Sequence, residues 1–428
     1  MVRRKPSVRC MTTSKDSQTP PPHPGHGPGH VAPAGPAGPR PPLVTRALML
    51  RFVSMIGASA SFFLLLSVVP LYATASGGGR DAAGTATGAL MLSTVVGELA
   101  APRFVARHGY RVALIAGLFL LGAPALVLTA FPSMAWTVTV CLLRGLGFAF
   151  TVVAGGALTA SLIPAERRGE GLALVGIVSG LPSLVGLPLG VWLASHVGYT
   201  PVAVAAGVVA LMAIVAVPGL PDRELMPGRP VGMVTGFRTG PLIRPAVVFA
   251  TTALAAGIIV TFLPLAVAPA FTGVVSVALF VQTAASTVAR WAAGRHGDRH
   301  GPAGLVLPGL LVSAVGVLVT ALTEHPVAVV AGVALFGIGF GITQNATLTL
   351  MYAGVSASGY GTVSALWNFA YDAGMGIGAV GFGVLAGRTG YPWAFVLTAG
   401  VMLGAVVPAW RDRVRGRARS AGQPHPSR

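Results

Sequence analysis

Two short polar stretches, each set between long apolar ones, are Pro102-Arg-Phe-Val-Ala-Arg-His-Gly109 and Gly294-Arg-His-Gly-Asp-Arg-His-Gly301. The second begins 192 positions after the first, so the arginine, histidine and glycine that end one fall on those that end the other. A stretch that recurs at a fixed offset indicates an internal duplication.

Two further pairs of segments support the duplication. A Gly-x-Gly core recurs at the same offset in residues 144–151 and 336–343. Another Gly-x-Gly recurs at nearly that offset, in Gly169–Gly171 and Gly359–Gly361. One unit of about half the chain has therefore been duplicated. Such duplication in an apolar chain is typical of transporters built from two homologous halves.

The composition excludes an ordinary soluble domain. The chain is 54% hydrophobic and only 9% charged, whereas soluble domains carry roughly 25% charged residues. We therefore expect a lipid bilayer around the chain and a small molecule as its substrate. A net charge of +18 would suggest nucleic acid in a soluble protein. Here most arginines lie in tails and loops, as membrane topology demands, so we expect no nucleic acid partner.

The chemistry-bearing residues give no sign of a cofactor site. Cys10 lies in a polar tail and Cys141 in an apolar stretch, and the histidines are scattered. This pattern predicts neither a disulfide framework nor a metal site. An intramembrane enzyme or sensor, the alternative from another class, would need a clustered catalytic set at one depth, and the sequence has none. We expect no enzyme and no cofactor.

The chain divides into five segments. Residues 1–44 are rich in Pro, Gly, His and Ser, which predicts a disordered cytoplasmic tail. The others are listed with their predicted nature: 45–218, an N-terminal six-helix half; 219–243, a polar cytoplasmic linker; 244–410, a C-terminal six-helix half; and 411–428, a basic cytoplasmic tail.

About twelve apolar runs reach the roughly 20 residues that a spanning helix needs. They lie near residues 47–74, 84–106, 111–131, 135–160, 170–195, 200–218, 244–269, 272–293, 303–322, 326–351, 360–386 and 392–410. If the N-terminus is inside, arginines gather on the cytoplasmic side, and only Arg80 and Arg388 remain outside. Both termini are then cytoplasmic in a multi-pass plasma-membrane protein, which agrees with an even helix count.

The repeated stretch resembles the signature of the major facilitator superfamily: Gly, three residues, Asp, Arg, one residue and Gly, followed by basic residues. The second copy matches it with Gly294, Asp298, Arg299 and Gly301. In the first copy Pro102 and Ala106 replace the glycine and the aspartate, while Arg107, Gly109 and Arg111 remain. The resemblance implies an all-α membrane fold of about twelve helices in two pseudo-symmetric six-helix halves, acting as a monomer.

The resemblance also implies that these two loops form a gate. In the family the acidic loop residue sits against the opposite half near a helix N-terminus, which favours a negative charge. Asp298 would do this near Gly169, at the start of the fifth helix, whereas Ala106 cannot. The alternative is that both loops only supply tight turns and cytoplasmic positive charge.

Three further features resemble parts of the family. Arg144, with Leu142 and Gly147, resembles a motif of the fourth helix. The predicted hinge Gly186, Pro188 and Gly190 resembles the fifth-helix motif of proton antiporters, although the Gly-Pro dipeptide itself is missing. Residues 367–374 look like those of prokaryotic efflux-type members related to sugar and drug exporters.

Three charged residues fall inside predicted spans: Glu98, Arg144 and Asp372. Such residues cost about 2.5–3.5 kcal/mol at a helix centre and usually mark function. Asp372 is predicted to be a proton-coupling or substrate-cation site, with a structural hydrogen bond as the alternative. Glu98 aligns with Arg290 at the repeat offset, and we expect it to pair with Arg144 rather than with a gate residue.

Neutral polar residues within the spans are candidate substrate contacts: Gln282, Gln344, Asn345, Asn368 and Tyr371. Each fits a hydrogen bond to a neighbouring helix equally well. Trp367 and Phe262 fit either an apolar cavity or a lipid-facing surface.

The predicted function is transport by alternating access. The chain lacks a Gly-x-x-x-x-Gly-Lys nucleotide-binding loop, so an ion gradient, most simply of protons, is expected to supply the energy. We expect proton-coupled efflux of a small, partly apolar molecule. The alternative within transport is proton-coupled uptake of a sugar or an organic acid.

Overall fold

The computed structural model describes residues 44–79, 81–164, 168–222, 240–268, 271–355 and 360–407. Helices occupy almost all of these residues, and the described part of the chain holds no strand. The predicted N-terminal tail up to residue 43, most of the linker (223–239) and the basic tail lie outside the described residues, as does Arg80.

Within each half, the helices follow one another with short connections. They are α1 (Arg46–Leu66), α2 (Val68–Ala73), α3 (Ala82–Leu126), α4 (Met134–Leu162), α5 (Arg168–Val197), α6 (Tyr199–Ala213), α7 (Gly240–Ala266), α8 (Thr272–His300), α9 (Ala303–Thr320), α10 (Pro326–Ala353), α11 (Tyr360–Thr389) and α12 (Tyr391–Gly404). A π-helical turn (Thr74–Gly78) follows α2, and a 3-10 turn (Ile214–Gly219) follows α6.

The number of membrane crossings depends on the long helix α3. Ten helices in the described ranges are long and apolar enough to span a membrane, and α3 with its 45 residues counts as one of them. Gly109 breaks α3, since its φ of 86° and ψ of 170° are not helical. We call residues 82–108 the first arm of α3 and residues 110–126 its second arm. The two arms, together with the shorter α12 of 14 residues, bring the total to the predicted twelve.

The repeated polar stretches are helix ends rather than loops. The eighth helix was predicted to stop at residue 293, but α8 continues to His300 and includes Gly294, Asp298 and Arg299. Residues 102–108 likewise remain helical. The prediction was wrong because the polar residues were interpreted as a loop. The α8 segment contains no proline, so nothing in it prevents the helix from continuing. Only the last glycine of each stretch leaves the helix, with φ of +86° at Gly109 and +81° at Gly301, a region that side chains with a Cβ disfavour.

The duplication is visible in how the helices pack. A Cβ at Gly145 would collide with the carbonyl oxygen of Leu90, and one at Gly337 would collide with that of Gln282. Both contacts recur at the offset of the sequence repeat. In each half, therefore, an interior glycine lets one helix approach the backbone of another, as small residues do in membrane helix packing.

The outer surface of the bundle is apolar. Large side chains such as Ile177 (67% exposed), Phe119 (55%) and Trp393 (65%) project from different helices. A soluble monomer rarely exposes so much contiguous apolar surface, so this belt fits the acyl chains of a bilayer.

The two halves meet at one end of the bundle. A Cβ at Gly84 would collide with the Ala379 carbonyl oxygen, and one at Gly376 would lie 2.9 Å from the Met91 Cβ. Nearby, the Thr87 and Thr261 hydroxyl oxygens lie 3.0 Å apart in a hydrogen bond. We call this region, residues 81–91 of α3 and 376–387 of α11, the closed end. In the orientation predicted from the arginines it is the outer end.

Candidate functional site

Two carboxyl groups meet where the halves join. Glu98 lies on the first arm of α3 and Asp372 near the middle of α11, and they are 8% and 6% exposed. The two side chains lie within interaction distance of each other. An ionised carboxylate only accepts hydrogen bonds, so two carboxyl groups can share a hydrogen bond only when at least one of them carries a proton. A pair of buried carboxyl groups thus lies where α3 of one half packs against α11 of the other.

The predicted pairing of Glu98 with Arg144 was wrong. The Arg144 guanidinium donates instead to two backbone carbonyls, from Nη1 to Leu121 O at 3.0 Å and from Nη2 to Ser61 O at 2.9 Å. Arg144 therefore connects α4 with α1 and the second arm of α3, whereas Glu98 meets α11. Arg144 lies within the N-terminal half and is 2% exposed, which fits a structural tie.

A second buried arginine, Arg51, lies on α1. It is 3% exposed, and its Nε donates to Gly155 O and to Thr159 Oγ1, both at 3.1 Å. Its Nη1 donates to Ser54 Oγ at 2.9 Å. Gly155 makes room for the guanidinium, because a Cβ there would overlap it. Two features of the sequence could have indicated this contact. One is an arginine inside the first apolar run, and the other is the Gly155-Gly156 pair in the fourth run.

Arg290 of α8 is the third arginine at depth, and it is half-buried. Its Nη1 lies 3.5 Å from Gln344 Oε1, at the outer limit of a hydrogen bond. Tyr371 lies within electrostatic reach of both Arg290 and Asp372. Among the described residues, Arg290 has no carboxylate partner. The structure thus places two predicted substrate contacts, Gln344 and Tyr371, beside a cation that the sequence had marked only as the counterpart of Glu98.

The other predicted contacts lie elsewhere. Gln282 is 5% exposed, and its Oε1 accepts a hydrogen bond from Thr283 Oγ1 at 3.4 Å. It lies between α8 and α10, beside Gly337. Asn345 lies against Gly294, where a Cβ would be 3.3 Å from its Nδ2. Asn368 lies one turn before Asp372, is half-buried and makes no hydrogen bond with a described residue.

Aromatic side chains of the C-terminal half gather beside Arg290. The ring centroids of Phe249 and Trp367 are 4.4 Å apart, and those of Phe249 and Tyr371 are 5.9 Å apart. The ring centroids of Phe340 and Tyr371 are 6.3 Å apart. We call these four residues the aromatic wall. The Trp367 Nε1 is buried without a hydrogen-bond partner in the described part of the chain. Phe262, by contrast, is fully buried against Gly84 at the closed end, so it lines neither a cavity nor the lipid surface.

The predicted gate residues lie at the opposite end from the closed end. Asp298 is exposed and makes neither a hydrogen bond nor an ion pair with any residue in the described ranges. The first copy is better anchored, because the Arg111 backbone N–H donates to Asp222 Oδ1 at 3.2 Å and its Nε donates to Leu220 O. Arg107 and Arg299 are exposed. The gate remains a prediction, since in this arrangement the halves meet at the other end.

The predicted hinge in α5 lies against α1. A Cβ at Gly186 would be 3.1 Å from Phe63 Cβ, and one at Gly190 would collide with Leu64 O. The helix continues through Pro188. These glycines let α5 approach α1, as small residues do in membrane proteins. The hinge remains a prediction.

Comparison with known proteins places this arrangement in a family. The model of the Major Facilitator Superfamily matches residues 51–379. The chain belongs to the major facilitator superfamily. This confirms the resemblance inferred from the repeated stretch, and with it the all-α fold of a multi-pass membrane protein in a family of transporters rather than enzymes.

Two individual proteins are similar to this superfamily member. A chloramphenicol resistance protein of Streptomyces lividans is 28% identical over 385 residues, which cover 84% of this chain and 95% of that protein. A solved structure of a mutant of the nucleoside transporter NupG superposes with a TM-score of 0.67 at 13% identity. That match covers 86% of this chain and 100% of the other. At such low identity it shows the shared fold alone.

Proposed function

We propose that this protein exports small, partly apolar molecules in exchange for protons across the plasma membrane, as a monomer with both termini in the cytoplasm. The observation that carries the proposal is the contact between the two buried carboxyl groups of Glu98 and Asp372. A proton bound at a contact between the two halves couples its own binding to the movement of those halves.

The coupling follows from charge. With a proton between them, Glu98 and Asp372 attract each other and favour the closed end. Without it they are two like charges at contact distance in a water-poor site, where repulsion is strong. Proton binding then differs between the two access states, which is what a gradient needs in order to drive transport. Tyr371 and Arg290 are the other titratable groups beside Asp372.

Two observations support export: the name of a similar protein and the aromatic residues beside Arg290. The Streptomyces lividans protein is named for resistance to chloramphenicol, and resistance by a transporter means removal from the cell. The aromatic wall offers stacking faces for an apolar cargo. The pairing of Asp372 with Glu98 disfavours the alternative that Asp372 binds a cationic substrate.

The test is proton movement in everted vesicles with an acidic interior. Chloramphenicol is added first, followed by a panel of dyes, antibiotics and sugars. With wild type, a transported compound should release protons from the vesicles, while Asp372→Asn and Glu98→Gln should not. Glu324→Gln, which alters an exposed carboxyl between α9 and α10, serves as the matched control and should behave as wild type.

Two results would contradict the proposal. If both carboxyl variants release protons as wild type does, the pair is not the coupling site. If compounds accumulate in cells rather than leave them, the direction is uptake.

A further inference from the structure

Besides the contact between α3 and α11, the two halves meet where α5 packs against α8. At this second contact, Gly180 of α5 faces Arg290 of α8. Within the described ranges, and leaving aside α5 itself, a Cβ built at Gly180 would have one neighbouring atom within 4 Å, Arg290 Nη2 at 3.7 Å. The position that a side chain at residue 180 would take beside the Arg290 guanidinium is therefore not filled by another described residue.

The internal duplication relates the contact between Gly180 and Arg290 to the contact between Glu98 and Asp372. Arg290 is the counterpart of Glu98 at the offset of 192 residues, and Gly180 is the counterpart of Asp372. The offset holds for these helices, since α5 ends before Gly198 and α11 ends before Gly390. One contact between the halves thus carries a pair of carboxyl groups, whereas its pseudo-symmetric equivalent carries a cation opposite a glycine.

Arg290 differs from the other two arginines at depth in its hydrogen bonds. Arg51 and Arg144 donate to carbonyl or hydroxyl oxygens at 2.9–3.1 Å. Arg290 reaches a single amide oxygen, at 3.5 Å. A guanidinium has five N–H donors in a rigid fork, so most of the donors of Arg290 have no described protein acceptor. Arginine in this setting favours planar groups with two oxygen atoms.

Apolar surface lies beside this cation. Tyr371, within electrostatic reach of Arg290, belongs to the aromatic wall. The wall also holds the unpartnered Trp367 Nε1. A molecule seated here would thus meet a cation at one end and stacking faces along its body.

We propose that Arg290 and Gln344, opposite Gly180, form the subsite for the acidic end of the cargo, so that the protein selects aromatic or apolar carboxylates over organic cations. This rests on the proposed function, for which it names the substrate class. The carboxylate takes the place that Asp372 takes in the other contact, and the aromatic wall receives the apolar body.

Equilibrium binding to the purified full-length protein, without any proton gradient, tests the subsite. The probes are 2-naphthoate and its trimethylammonium analogue. Wild type should bind the carboxylate and not the ammonium compound. Arg290→Gln should weaken naphthoate binding by about ten- to hundredfold, the value of a charge-assisted hydrogen bond. Arg295→Gln removes an exposed arginine from the same helix, near Trp291, and should leave binding unchanged.

A second variant keeps Arg290 in place. Gly180→Asp introduces the carboxylate that the duplication lacks here, so it should pair with Arg290 and exclude naphthoate, whereas Gly180→Ala should have a smaller effect. Naphthoate binding that survives both Arg290→Gln and Gly180→Asp would overturn the subsite, as would equal binding of the ammonium analogue. If naphthoate fails to bind but chloramphenicol still releases protons from vesicles, the subsite is wrong and proton-coupled export stands. If naphthoate binds and no compound moves protons, the subsite stands and proton-coupled export fails.

Discussion

The Arg51 guanidinium occupies the volume that a side chain at Gly155 would fill, and its Nε donates to the Gly155 carbonyl oxygen at 3.1 Å. An arginine on α1 and a glycine on α4 thus form one structural unit. The cation is buried, and its described partners are neutral oxygens. It depends on their positions, because a buried charge that loses its acceptors is costly.

Gly155→Ala should therefore destabilise the protein by about 2–4 kcal/mol, since the new methyl group displaces the guanidinium from Gly155 O and Thr159 Oγ1. Thermal unfolding of the purified protein in detergent measures the effect. Gly156→Ala is the matched control, because a Cβ at Gly156 meets no atom of another described residue within 4 Å and alanine favours a helix. Equal stability of the two variants would show that Arg51 has room to move.

We expect the carboxyl pair to make the closed end sensitive to pH. As the pH rises and both Glu98 and Asp372 become charged, their repulsion should open this end. In Asp372→Asn an amide N–H donates to the Glu98 carboxylate at any pH, so the end should stay closed. The measurement is the distance between spin labels at the exposed positions 132 and 389, with Cys10 replaced. A wild-type distance that does not change with pH would exclude this switch.

The closed end needs a glycine at position 84. Because Gly84 lies against the Ala379 backbone, Gly84→Leu should act as a wedge between the first arm of α3 and α11. We expect folded protein, a longer distance between the same spin labels, and transport reduced at least about tenfold, since overpacking costs 1–3 kcal/mol. Gly381→Leu adds the same side chain at a position whose Cβ would meet nothing within 4 Å in the described part of the chain, and it should be transport-competent. Undiminished transport by Gly84→Leu would argue that this contact is not part of the cycle.

The glycine that ends α8 has a backbone that other residues rarely adopt. Gly301 has φ of 81° and ψ of 145°, so Gly301→Ala should cost about 1–3 kcal/mol of stability. Gly304→Ala, three residues later in α9, is the control, because its Cβ would lie more than 4 Å from every neighbour that the structure describes and its φ is not positive. Chemical unfolding of the two variants side by side decides the matter, and equal midpoints would contradict the expectation.

The fold was accessible from sequence because its signals are long and repeated. Apolar runs of about 20 residues and the 192-residue offset predicted the all-helical fold and the family, both of which are confirmed. The end of α8 was missed because polar residues such as Arg295 and His296 sit equally well in an exposed helix end. Helix polarity at a membrane surface therefore does not distinguish a helix end from a loop.

The site was less accessible because a helix that is apolar all round does not reveal its rotation. Glu98 and Arg144 were correctly placed at depth, yet the faces of α3 and α4 decided their partners. The burial of Arg51 was not predicted for the same reason. Arg290 was visible only as the counterpart of Glu98, and the gap that Gly180 leaves before it required coordinates.

The tight glycine turns have a consequence for how this protein is handled. Gly109, Gly198 and Gly390 each form the whole junction between two consecutive helical segments, and Gly301 with Pro302 forms a fourth. Such junctions offer no free chain for a protease, an epitope tag or a fusion partner. Topology mapping and labelling are better directed to the connections at residues 127–133 and 321–325, where several residues separate the helices. Each pair of helices joined by a glycine is also expected to enter the bilayer together as a hairpin during biosynthesis.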